Sequence, residues 1–182
     1  MRRLGTLTLG VLASAALSSA VLAQAVPSQS GPAAKELIDL MTKAKTDCVV
    51  RASNVFGGYV AALHVPGAKL TVVSARFLDT RAMEYKVYQK DCMGAYADLS
   101  AAMDAVDRVV IDDIAGDGLV AMPKKDVPRD GITREGKSVK FDGDPKLLKQ
   151  QKSTPDEFQK NFSSADTTYS ELLRLLTAEL KK

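Results

Sequence analysis

A single histidine and two cysteines are present in 182 residues, so the side chains that most often bind transition metals or act as nucleophile and base are scarce. Zinc sites usually take several ligands from His and Cys, and His64 with one pair of cysteines makes no such set. No Gly-x-Ser-x-Gly elbow is present to carry a hydrolase serine, no Cys-x-x-Cys to depress a thiol pKa, and no glycine-rich phosphate loop. Beyond the amino-terminal segment no run of apolar residues is long enough for a further membrane span. What is there is ordinary for a globular chain: 46% hydrophobic and 26% charged residues. That balance argues against a disordered tail, a collagen-like rod or a cysteine-rich scaffold, and the length suits one domain.

Arg2 and Arg3 precede a mostly apolar stretch, Leu4 to Leu22, which ends in the small-residue pattern Val21-Leu22-Ala23. A positive start, a short apolar middle and small residues at the end describe a secretory signal peptide. Residues 1–23 are assigned to it, with cleavage expected after Ala23 and a cut after Ala25 as the alternative. Gly5, Gly10, Ser14, Ser18 and Ser19 dilute the stretch and argue against an uncleaved anchor. Arg2-Arg3 raises twin-arginine export, but the short lead before the pair favours the general secretory route. The expected location is periplasmic or secreted. Loss of Arg2 and Arg3 leaves 23 basic against 22 acidic side chains, a net of +1. The sequence pI of about 8.8 therefore overstates how basic the mature chain is. A near-neutral surface lacks the concentrated basic face that nucleic acid requires.

Residues 24–32 read as a flexible leader, and 33–182 as a single domain. Ser30 or Gly31 with Pro32 marks a helix start. Leu37, Leu40, Met41, Ala44, Cys48, Ala52 and Val55 recur at helical spacing, which predicts one helix to Val55, ended by Gly57-Gly58. Two alternating runs, 59–65 and 70–77, flank Pro66-Gly67 and predict a hairpin that is apolar on both faces. Its alternation is read as placing Tyr59, Ser74 and Arg76 on one face and His64 on the other. A long helix is expected from about residue 80 to 105, on the stripe Tyr85, Tyr88, Cys92, Tyr96, Leu99, Met103 and Val106. Val109–Ile111, Leu119–Ala121 and the short run Ser138–Phe141 read as strands. Residues 123–137 read as a loop or an exposed hairpin. Thr154-Pro155-Asp156-Glu157 is a capping box that opens a last helix with the buried stripe Phe158, Phe162, Ala165, Tyr169, Leu172, Leu176 and Leu180. The predicted order is α-β-β-α-β-β-(β)-α. The fold class is α+β, an antiparallel sheet of about 4–5 strands packed by three amphipathic helices.

Cys48 and Cys92 are the candidate disulfide, since an exported chain meets an oxidising compartment and an even cysteine count favours pairing. The candidate ligand site is anionic in its preference: Ser74 and Arg76 at a strand end, then Thr80 and Arg81 at a helix start, with Tyr59 to stack on a planar group. Asp113-Ile114-Ala115-Gly116-Asp117-Gly118 has the first, fifth and sixth positions of a calcium loop. It lacks the third, at Ala115, and the twelfth, at Lys124, so it reads as turn chemistry and no metal is assigned. The basic run Lys124 to Lys140 is interleaved with Asp126, Asp130 and Glu135 and reads as a solvated loop. No catalytic residue is assigned and no cofactor is identified. The leading expectation is an exported domain that binds a small anionic ligand or a protein partner without catalytic machinery of its own. A flavin-like, phosphate-anchored enzyme of split-barrel-like architecture is the alternative, and a homo-oligomer built by sheet or helix pairing is the third class.

Overall fold

The computed structural model describes residues 28–53, 58–67, 69–77, 105–123 and 128–182. They form α1 (Gly31–Ala44), β1 (Cys48–Ser53), β2 (Gly58–His64), β3 (Leu70–Phe77), β4 (Ala105–Asp113), β5 (Gly131–Arg134), β6 (Lys137–Lys140), α2 (Pro145–Gln150) and α3 (Pro155–Leu180). The six strands make one antiparallel sheet in the order β1-β2-β3-β4-β5-β6. This is an α+β fold with an antiparallel sheet, richer by a strand than the sequence predicts. The helix expected over residues 80–105 lies outside the described residues, save that Ala105 and Val106 belong to β4.

The first predicted helix is too long. α1 stops at Ala44 because Lys45 turns left-handed (φ 52°), and the Lys45 and Thr46 amides close back on Met41 and Thr42 carbonyls. Cys48 is therefore not on a helix; it opens β1, where it pairs with Leu63. A spacing of four satisfies both a helix and the two-residue period of a strand, so Ala44, Cys48 and Ala52 prolonged the helical pattern falsely. Leu119–Ala121 is a loop segment, not a strand, and α2 follows a turn at Asp142–Asp144.

One sheet face carries Val49, Val60, Ala62, Leu70, Val72, Val109 and Ile111, all packed against Leu37 and Met41 of α1 and Phe162, Tyr169, Leu173 and Leu176 of α3. Each valine, leucine, isoleucine, methionine or phenylalanine so removed from water contributes roughly 1.5–3 kcal/mol. Phe141 meets Phe162 edge-on at 5.3 Å, closing the end of this layer. Ala61, Val73 and Ala75, in the alternate row, are buried as well. The middle hairpin is thus covered on both faces, as its two apolar rows predict.

The capping box at α3 forms as expected. Thr154 Oγ1 accepts from the Glu157 amide (3.2 Å) and Glu157 Oε2 accepts from the Thr154 amide (2.8 Å), which holds the Glu157 carboxyl below its usual value. Thr154→Ala is expected to cost about 1 kcal/mol of stability, read as a shift in the denaturant midpoint with an unchanged slope.

Candidate binding site

The residues between β4 and β5 are organised by carboxylates rather than by a strand ladder. Asp113, at the end of β4, is fully buried; its Oδ1 accepts from the Asp117 amide (3.1 Å) and its Oδ2 from the Gly118 amide (2.8 Å) and the Tyr169 hydroxyl (3.1 Å). Asp130, just before β5, accepts from the Ile114 amide (2.8 Å) and the Val120 amide (2.9 Å). Ser30 Oγ accepts from the Leu119 amide (2.9 Å) and itself donates to Asp166, which is buried in the middle of α3. Asp166 also accepts from the Gln29 amide (2.6 Å), the Ser30 amide (3.0 Å) and the Ser28 hydroxyl (3.2 Å). Three acids on two strand ends and one helix thereby fasten one loop to the start of α1 and to α3. Ser28–Ser30, which the sequence places in a flexible leader, are fixed to α3 by these bonds.

Burial is the largest influence on two of these acids. It pushes the Asp113 carboxyl from 3.8 up to about 6, against the opposing Gly118 amide, with Asp130 and Asp117 adding repulsion and Tyr169 a smaller downward pull. It raises Asp130 against the Ile114 and Val120 amides. The Tyr169 hydroxyl is raised well above 10 by burial and then by Asp113. An acid whose pKa is higher in the folded than in the unfolded chain stabilises the fold only while protonated. The Asp113 contribution is therefore complete below 3.8 and is lost as pH rises through about 6. That gap corresponds to roughly 3 kcal/mol. The thermal midpoint is expected to rise as pH falls from 8 to 5, and Asp113→Asn is expected to flatten this slope. A midpoint that falls steadily over the same range would contradict it.

The loop so held lines a groove of about 350 Å³ with Ala115, Asp117, Val120, Met122, Pro123, Pro128 and Asp130. Met122 is 42% exposed, one of three large apolar side chains open to solvent among the described residues. Asp113, Asp117 and Asp130 bring carboxylate oxygens within 4.8 Å of one another. Each oxygen of Asp113 and Asp130 accepts one backbone amide, as aspartates in turns do. Asp117 is exposed, and its carboxylate makes no ion pair among the described residues.

Of the anion site drawn from the sequence, the strand register departs from the expectation at Tyr59. Val65 meets Lys69, which sets Tyr59 opposite Ala75 and Val60 opposite Ser74. A one-residue slip exchanges the faces of a strand, so Tyr59 belongs to the alternate row from Ser74 and Arg76. Thr80, Arg81 and Cys92 lie outside the described residues. The same correction moves His64 into the row of Ser74, but they sit four residues apart along the strand, about 13 Å, beyond hydrogen-bond reach. His64 is buried, and its Nδ1 has no hydrogen-bond partner among the described residues. It lines a cleft of about 420 Å³ with Met41, Thr42, Lys45, Thr46, Asp47 and Pro66. There is no free cysteine among the described residues, and no helix there is long and apolar enough to cross a membrane.

Sequence reasoning missed Asp130, Asp166 and Ser30. Asp166 left a signal: it lies four residues after Phe162 and three before Tyr169, inside the apolar stripe, where a charge needs partners. Asp130 gave none, being one acid in a run of mixed charge. The fold and this loop define a class, an α+β domain with a six-stranded antiparallel meander and a carboxylate-pinned loop. Comparison with protein families, curated proteins and solved structures finds no match for the chain.

Proposed function

We propose that the chain is an exported binding domain, without catalytic machinery of its own, that uses the groove between loop residues 114–123 and 128–130 to hold a protein partner. The supporting observation is the fixing of the loop by buried carboxylates: amides 114, 117, 118, 119 and 120 all donate to side-chain oxygens. A surface ordered before binding does not lose that entropy on association. Apolar lining beside Asp117, which forms no ion pair among the described residues, suits an apolar segment that carries a positive charge. The test is chemical-shift mapping of the labelled mature chain with an acetylated, amidated Leu-Lys-Leu tripeptide. Shifts should cluster at residues 115–123 and 128–130 and vanish in Met122→Glu. Shifts elsewhere, or none at millimolar peptide, would reject the groove.

Residues 1–23 act in this reading as a cleaved signal, and the chain works in the periplasm or outside the cell. A Cys48–Cys92 bond belongs to the same reading. It would close a loop whose chain-entropy value is about 4 kcal/mol. Reduction is then expected to lower the unfolding free energy by a few kcal/mol, and mass mapping without reductant to recover the linked peptides. Two alkylatable thiols in the exported chain would refute the bond.

The cofactor-using alternative retains one supporting observation, the shared row of Ser74 and Arg76. It predicts flavin-type absorption between 300 and 600 nm in protein from its native compartment, lost in Arg76→Ala. Colourless protein with no thermal response to phosphate compounds would remove it.

A further inference from the structure

The last strand of the sheet has one side paired and the other open. β5 and β6 join through Glu135 (φ 48°) and Gly136 (φ 75°), a two-residue turn with both residues left-handed, which matches strand twist. The Phe141 amide donates to the Asp130 carbonyl at 2.9 Å, so pairs 130/141, 132/139 and 134/137 carry the ladder bonds, and pairs 131/140 and 133/138 do not. The amides and carbonyls of Ser138 and Lys140 consequently point away from β5. All four β6 residues are exposed, Val139 at 41%. No backbone bond to another described segment uses this edge.

We propose that the β6 edge accepts an acidic extended segment of a partner protein by strand addition, at a surface separate from the loop groove. Main-chain bonds to Ser138 and Lys140 supply the pairing, as in other sheet-edge recognition. Charge selects the occupant. Lys140 is itself an open position and Lys137 precedes the other, on the opposite face; neither forms an ion pair among the described residues, and Lys140 has a longer-range attraction to Asp130. A second copy of the chain is disfavoured, because two β6 strands side by side would bring four lysines together, the usual way an edge resists self-pairing. In an added strand of alternating pattern, acidic residues opposite Ser138 and Lys140 meet Lys140 on one face, and apolar residues lie beside Val139 on the other.

The test uses the intact mature chain, labelled for amide resonances, and an acetylated, amidated hexapeptide of alternating glutamate and valine. The Ser138 and Lys140 amides should shift and exchange more slowly with solvent. The same peptide with lysine for glutamate should bind at least tenfold more weakly. Ser138→Pro removes an outward donor that the hairpin does not use, a substitution that edge strands tolerate. It should lose at least tenfold in affinity with the fold intact. Ser138→Ala, which loses only the exposed hydroxyl contact with Thr133 at 2.7 Å, should bind like the parent. Absence of shifts at 138 and 140, equal binding of both peptides, or unchanged binding by Ser138→Pro would each overturn the proposal. So would a single-stranded oligonucleotide that binds the lysines as well as the acidic peptide does.

Discussion

Asp166→Ala is expected to remove about 4 kcal/mol from the unfolding free energy, since it orphans two backbone amides and a buried hydroxyl at once. The thermal midpoint should fall by roughly 10 °C, given the size of the chain. No part of this loss comes from apolar area; it comes from amides at Gln29 and Ser30 left without an acceptor. The damage should also reach the loop, because Ser30 Oγ receives the Leu119 amide while donating to Asp166. Asp166→Asn should be intermediate. One oxygen remains to accept from Ser30, but an amide nitrogen can replace the oxygen that accepts from Gln29, setting donor against donor. A loss below about 0.5 kcal/mol for Asp166→Ala, the range of an ordinary surface substitution, would show that the docking of Ser28–Ser30 contributes little.

Gly118→Ala should be comparably severe, for a steric reason. Gly118 has φ +87°, and an added Cβ would lie 2.4 Å from the Gly31 amide nitrogen and 2.5 Å from its Cα. Those atoms are the first backbone of α1, so the loop or the helix start must move. Gly136 is the matched control: φ is +75°, yet nothing lies within 4 Å of an added Cβ. Gly136→Ala should cost only the backbone strain, about 1–3 kcal/mol. Gly118→Ala should exceed it by about 2 kcal/mol or more, in the range of an overpacked core, as measured by denaturant unfolding. Equal losses at the two positions would mean that the loop does not press against α1.

Much of the layer structure was legible because its signals are local. The α3 stripe follows helical spacing, and Thr154 to Glu157 spells out its own cap. The central hairpin announced itself by alternation around Pro66-Gly67, and the aspartates of the 113–118 turn gave the turn without the loop it belongs to. What failed depended on distance in sequence. The register of β2 on β3 hangs on whether Val65 meets Lys69, and one residue decides whether Tyr59 joins Ser74 or opposes it. The end of α1 at Lys45 used a left-handed lysine in place of a glycine, so no residue type marked it. The partners of Asp166 lie 136 to 138 positions away, and no spacing rule reaches that far. The candidate groove is a product of those remote bonds, which is why composition and periodicity pointed instead to arginines at a strand end.

Amide hydrogen exchange on the intact chain, read residue by residue, addresses the pinned loop most directly. If buried carboxylates hold residues 114–120 before any partner arrives, then the Ile114, Gly118, Leu119 and Val120 amides should exchange as slowly as those in the middle of α3, since each donates to a buried side-chain oxygen. Exchange at the rate of an unprotected loop at these four positions, with α3 still protected, would contradict a preformed groove.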